Sequence, residues 1–219
     1  MIAHRRTRSS RTWRTPAAFA FAALAAACGV MTPVPADAPV LHVLDVKATA
    51  VAAPPARTAL ALEVGAPRAA PGFETAAMAY VQKPYTLDYF AVHRWVEPPA
   101  QMLAPLLVRA LEGTGAFRAV VYGAGGVRAD VRVDTEVVRL QQSFLTRPSR
   151  VELVLRAQVV DVGNRRVVAT RTFEVARDAP ADDPEGGVVA ANAAVAGALA
   201  EVATFAVAAS GEVVPRRAP

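Results

Sequence analysis

The sequence predicts an α+β fold, one mainly antiparallel sheet with two helices packed on one face. Three observations lead there. From Val127 to Val175 the chain runs through three long alternating stretches separated by turn residues, the pattern of strands with one wet face. Two other segments, Pro98 to Glu112 and Pro184 to Ala208, carry apolar residues at three- and four-residue spacing, the period of a helix. Hydrophobic residues make up 53% of the chain, enough for a sizeable core, although Ala and Val supply much of it.

The first 39 residues stand apart from that domain. Residues 1–15 are basic, Pro16 to Ala27 are apolar, and the only Cys of the chain, Cys28, follows at once. A basic stretch, a short apolar stretch and small residues before a cut define a secretory signal. The apolar stretch has about a dozen residues, against the ~20 needed to cross a hydrocarbon core. Residues 1–27 are therefore expected to be a signal peptide, and the run Ala25-Ala26-Ala27-Cys28 resembles a bacterial lipobox, although Ala25 stands where Leu is usual. The thiol of Cys28 would carry a diacylglyceryl group, and acylation of the new amine would make attachment stable. The plainer alternative is a secretory signal beside an incidental Cys28. Gly29, where an Asp would retain a lipoprotein at the inner membrane, points to the outer membrane by analogy with enterobacterial sorting. Residues 28–39 contain Pro33, Pro35 and Pro39 and read as an extended membrane tether.

Removing the signal changes the charge. The chain has 24 Lys+Arg and 19 Asp+Glu, a net charge of +5 and a pI near 10.0. Arg5, Arg6, Arg8, Arg11 and Arg14 all lie before Cys28 with no acid among them. Without these five, basic and acidic residues balance, and the electrostatic case for nucleic acid disappears.

The domain then spans residues 40–209, with 210–219 expected as a disordered tail. Val40–Val46 and Thr58–Val64 read as strands. Pro67–Thr75, with Pro71-Gly72, reads as a loop. Ala76–Gln82 and Leu87–Trp95 form an expected hairpin across Lys83–Thr86. The first helix starts at the Pro98-Pro99 pair, kinks at Pro105, and presents Leu103, Leu106, Leu107 and Leu111 to the sheet. Gly113 and Gly115 end it. Phe117–Tyr122 is a short strand, and Gly123 to Gly126 is expected to turn a hairpin into Val127–Leu145. The alternation slips at Val137-Val138 and resumes at Leu140, the mark of a β-bulge. Ser149–Val162 and Arg166–Val175 complete a meander around the Gly163-Asn164 turn. Asp183 is placed to cap the second helix, with Pro184 at its first position.

Little in the chain suggests catalysis. Beyond the signal only His42 and His93 remain as histidines, and HExxH, GxSxG and Walker A motifs are lacking. Gly123 to Gly126 has the wrong spacing for a phosphate loop. Asp182, Asp183 and Glu185 are better explained by capping than by a cation, so neither a metal nor any other cofactor is expected. The chain reads as a non-enzyme. Candidate partner-binding residues are His93, Arg94 and Trp95 in the aromatic strand, where Trp and Arg are typical anchors, and Phe144 and Arg147 in the turn before Pro148. For each a plainer role stands beside it: Trp95 and Phe144 as core, His93, Arg94 and Arg147 as solvated surface. Arg147, Arg150, Arg165 and Arg166 could meet lipid head groups or simply be solvated, and Phe144 with Leu145 could form an exposed apolar tip or pack in the core.

The run YFAVHRWVEPPAQMLAPLLVRALEGTGAFRAVV, from Tyr89 to Val121, resembles the ABC-type transport auxiliary lipoprotein family. PGFETAAMAYVQKPYTLDYF upstream, with TRPSRVELVLRAQVVD and DDPEGGVVAANAAVAGALAEVATF downstream, fits the same family, so the similarity spans Thr58 to Phe205. Members are periplasmic accessory components of MCE-type lipid transporters of Gram-negative bacteria. The resemblance implies a lipid-anchored protein on the periplasmic face of the envelope. Its partners would be an MCE-domain subunit and, indirectly, a permease and an ATPase, with a homo-oligomer left open. Two alternatives stand beside it: a structural lipoprotein of outer-membrane assembly, and a periplasmic hydrolase, against which the missing nucleophile–base pair argues.

Overall fold

The computed structural model describes residues 38–46, 57–123 and 128–214. The expected signal, Cys28 and most of the tether lie outside the described residues. Nine strands form one sheet: β1 (Val40–His42), β2 (Ala61–Val64), β3 (Arg68–Ala69), β4 (Ala77–Val81), β5 (Asp88–Trp95), β6 (Ala119–Tyr122), β7 (Val131–Ser143), β8 (Arg150–Asp161) and β9 (Arg166–Asp178). Among the described residues two helices accompany these strands, α1 (Pro99–Gly113) and α2 (Pro184–Ser210).

β7 is the axis of the sheet. One of its edges carries β8, which in turn pairs antiparallel with β9, so the expected meander is present. Alternation sets its two faces: Val131, Val133 and Val137 are fully buried, while Arg132, Asp134 and Glu136 face solvent partly. The β7–β8 register shifts between Val137 and Arg139, leaving Val138 as the extra residue, and Leu140 returns to the core.

The other edge of β7 corrects the expectation of a mainly antiparallel sheet. The chain from Ala61 to Val81 runs alongside β7 in the same direction as an interrupted parallel strand. It pairs first through β2 (Leu62 with Val131), then β3 (Arg68 with Glu136), then β4 (Ala79 with Gln141). β6 is parallel to β2, and β1 is parallel to β5. The sheet is therefore mixed. The physical reason is that alternation reports which face a residue occupies and carries no information on the neighbour across the ladder. Gly123 to Gly126 is corrected in the same way: β6 and β7 do not pair with each other, because β2 lies between them.

Both helices pack on the buried face and touch each other. Leu103, Leu106, Leu107 and Leu111 of α1 are all buried, as their spacing requires. Pro105 is inside α1 but on its exposed side, where water can satisfy the carbonyl that its missing N–H abandons. Gly115 adopts φ +64 just after the helix, and Thr114 Oγ1 donates to the Leu111 carbonyl at 2.6 Å. α2 is long and apolar enough to suit a membrane span by composition, yet half of its most apolar window is buried inside the protein. Ala194, Val195, Ala198 and Val202 have essentially no exposed surface, and α2 contacts β8 and β9. α2 continues to Ser210, and Val213 beyond it is buried.

Candidate functional site

The β4–β5 hairpin and the β7–β8 connection meet at one end of the sheet. The cause is the register: Val81, the last residue of β4, pairs with Ser143, the last of β7, and the Phe144 N–H donates to the Val81 carbonyl at 2.8 Å. Residues 82–87 and 144–149 are thereby set side by side.

Half-buried rings run from this end toward α2. Tyr80 contacts Phe90 with ring centroids 4.5 Å apart and Phe144 at 6.0 Å. Phe90 reaches Phe144 at 6.4 Å and His93 at 6.3 Å. His93 meets His42 with Nδ1 and Nε2 2.9 Å apart, and the Glu185 carboxylate in the first turn of α2 lies 3.6 Å from the same Nδ1. Burial, with the adjacent His93 ring as the next cause, pushes the His42 imidazole below its usual value, and Glu185 opposes the shift.

The candidates named from sequence divide. His93 and Phe144 belong to this string of rings. Trp95 is only 4% exposed, part of the core, and lines a crevice with Met78, Phe90, Leu140, Gln142 and Ala191. That crevice is small, with about 10 Å3 open to the centre of a water molecule, roughly room for one water. Arg94 is exposed on the neighbouring position of β5. Arg147 is exposed in the connection before Pro148. Arg150 is committed to Asp178 at 3.0 Å.

Two groups of residues were not found from sequence. At the tip Tyr85 is fully exposed with φ +64, a left-handed conformation that a bulky residue rarely adopts. Leu87 is exposed at the same end, beside Leu145, which the sequence already offers with Phe144 as an apolar tip. The Pro84–Tyr85 turn is a readable signal for a hairpin but carries no sign of the backbone angle at Tyr85. The second group is the meeting of His42, His93 and Glu185, which come from three elements and leave no local motif.

The acidic trio resolves into separate tasks. Asp183 accepts from the Gly186 N–H at 2.7 Å, as a helix cap should. Asp182 accepts from the Ser149 N–H at 2.6 Å, and the Ser149 backbone, hydroxyl and then nearby Arg147 hold its carboxyl below the usual value. Of the three, Glu185 is the one that faces the histidine pair.

Residues 42–203 match the family described as ABC-type transport auxiliary lipoprotein component. No curated protein matches. Among solved structures, the chain is similar to protein XCC0632 from Xanthomonas campestris, with 24% identity and a TM-score of 0.71, over 79% of this chain and 97% of that one. It is also similar to the crystal structure of an uncharacterized protein at 14% identity and a TM-score of 0.61, over 77% of this chain and 99% of that one. These two likenesses establish the fold, and the family match spans most of the domain. The chain belongs to the ABC-type transport auxiliary lipoprotein family.

Proposed function

We propose that the protein is an accessory lipoprotein of an MCE-type ABC transporter that moves lipids or other apolar solutes across the envelope. It is anchored through Cys28 on the periplasmic face, at the outer membrane, and acts by binding an MCE-domain subunit. It is not an enzyme and needs no cofactor for this task; the permease and ATPase are separate chains. The observation that carries this reading is the family match across residues 42–203.

The exposed tip is the contact surface. Tyr85 extends fully into solvent beside Leu87 and Leu145, with Lys83 and Arg147 around them. A left-handed backbone at a residue other than Gly costs about 1–2 kcal/mol. Such strain, spent to display a side chain with no packing role, points to function at that residue. Tyr combines apolar area with a polar end, and residues of this type dominate binding at protein interfaces.

Affinity capture tests the reading. The full chain, solubilised from native envelopes, should retain the MCE-domain subunit. Tyr85→Gly should melt at or above the wild-type temperature, because Gly adopts φ +64 without strain, and should lose most of the captured subunit. Equal capture by a folded Tyr85→Gly, Leu145→Ser double variant would exclude the tip as the contact.

A further inference from the structure

We infer that His42, His93 and Glu185 form a binding site for a divalent transition-metal cation of the zinc class, open to solvent on one side. The inference does not depend on the transport role.

The three groups converge from three elements. β1 lies parallel to β5 with Val40 opposite His93, so His42, two residues on, falls diagonally across from His93 on the same face. Capping by Asp183 sets the start of α2, and this brings Glu185 over the pair. One ligating atom from each of the three residues lies within 4.8 Å of the other two. The histidines are 51 residues apart in sequence and the carboxylate lies on α2, so tertiary structure makes the convergence.

The proton count favours a cation. His93 Nδ1 faces both the His42 Nε2 and the Glu185 carboxylate, at 2.9 and 3.6 Å. That nitrogen carries at most one hydrogen. If it donates to His42, the carboxylate receives nothing from it. If it accepts from His42, its lone pair faces an anion. A single cation at the point of convergence satisfies all three lone pairs at once. Imidazole nitrogen and carboxylate oxygen are suitable donors for zinc, bound at about 2.0–2.2 Å. Tetrahedral donors then lie about 3.3 Å apart, near the 2.9 and 3.6 Å found at His93 Nδ1, while the third spacing, within 4.8 Å, closes by side-chain rotation on binding. The histidines are half-buried and Glu185 is exposed, which leaves a path for entry and a fourth position for water.

Such an ion would act on the attachment of β1. That strand has three residues, lies at an edge, and is the first strand after the tether. Apart from its ladder to β5, nearby ties are the Val96 N–H to the His42 carbonyl and Asn192 to Asp45 and Val43. A metal bridging His42 to His93 and Glu185 would clamp the strand leading from the membrane tether to both the sheet and α2.

The test is calorimetric titration of the full chain, in detergent micelles and without a histidine tag, with zinc chloride. His4 is the only other histidine, and it leaves with residues 1–27 in the processed lipoprotein; any unprocessed sample carries His4→Asn. Binding of one zinc ion per chain at micromolar or lower Kd is expected. His42→Ala and Glu185→Gln should each weaken it at least about tenfold while melting as cooperatively as the parent without metal. Cobalt(II) should give the intense visible absorption of a four-coordinate site in the parent and not in His42→Ala. Absence of stoichiometric zinc binding by the parent, or undiminished binding by His42→Ala, would overturn the inference.

Discussion

Gln142 in β7 donates through Nε2 to the backbone carbonyl of Asp183 at 3.0 Å, tying the central strand to the residue that caps α2. The same nitrogen lies 2.9 Å from Ser149 Oγ, so one buried amide joins the sheet, the β7–β8 connection and the start of the helix. The backbone of α2 approaches this junction closely. A Cβ at Gly186 would collide with the backbone carbonyl of Ala181, and one at Gly187 with the Gln142 amide. Replacing a helical Gly by Ala normally gains about 0.5–1 kcal/mol. Here the sign reverses: Gly186→Ala should lower the melting temperature. Gly113→Ala, at a helical position with nothing within 4 Å of the new methyl, should raise it. Thermal unfolding of the two variants checks the contrast.

The α1 face gives a second stability test. Leu107 is buried among the core residues, whereas Arg109 is exposed. Leu107→Ala should cost about 2–5 kcal/mol, the usual range for a buried Leu, and Arg109→Ala should stay within about 0.5 kcal/mol of the parent. Denaturant titration of both distinguishes a packed helix from a loosely held one. Similar small shifts would mean that α1 is not packed as described.

Asp182 makes stability depend on acid. Hydrogen bonds from Ser149 lower its folded pKa below the ordinary value of about 3.9. A depressed carboxyl stabilises the fold at pH values above the unfolded pKa, and this contribution disappears as pH falls through the folded one. Asp182→Asn should therefore melt below wild type at pH 7, and the gap should close on acidification below about pH 4. A gap unchanged between neutral and acid pH would show that the charge contributes nothing.

Much of this architecture was legible because the deciding information is local. Arg132, Asp134 and Glu136 between buried valines gave β7 its faces. The phase slip at Val138 gave the bulge, and Asp183-Pro184 gave the start of α2. What stayed hidden was pairing over distance. Nothing in Leu62 or Ala79 announces that each will lie beside β7, and the two-residue β3 sits inside a Pro- and Gly-containing stretch that reads as loop. Trp95, a partner-binding candidate whose plainer role was packing under the helix, is core. Phe144 was equally balanced and is half-buried, one ring in a string. His42 and Glu185 join His93 only through the parallel β1–β5 ladder and the docking of the start of α2 beside it; the cap of α2 was readable, but neither the ladder nor the docking has a motif.

Cys28, the proposed anchor, lies outside the described residues and is tested directly. Cys28→Ala should abolish metabolic palmitate labelling and move the protein from the membrane to the soluble fraction. The sole Cys after a basic-then-apolar leader motivates this. A variant that still labels and still sediments with membranes would remove Cys28 from that role.

The most direct measurement is photo-crosslinking in the native envelope from a benzophenone side chain placed at position 85. The left-handed turn and full exposure of Tyr85 put that side chain wherever the tip makes contact. The expected product joins this chain to the MCE-domain subunit. The same probe at Arg109, on the exposed side of α1, should give far less of it. Equal yields from the two positions, or no MCE adduct from position 85 in cells that express both chains, would contradict a transporter accessory acting through this tip.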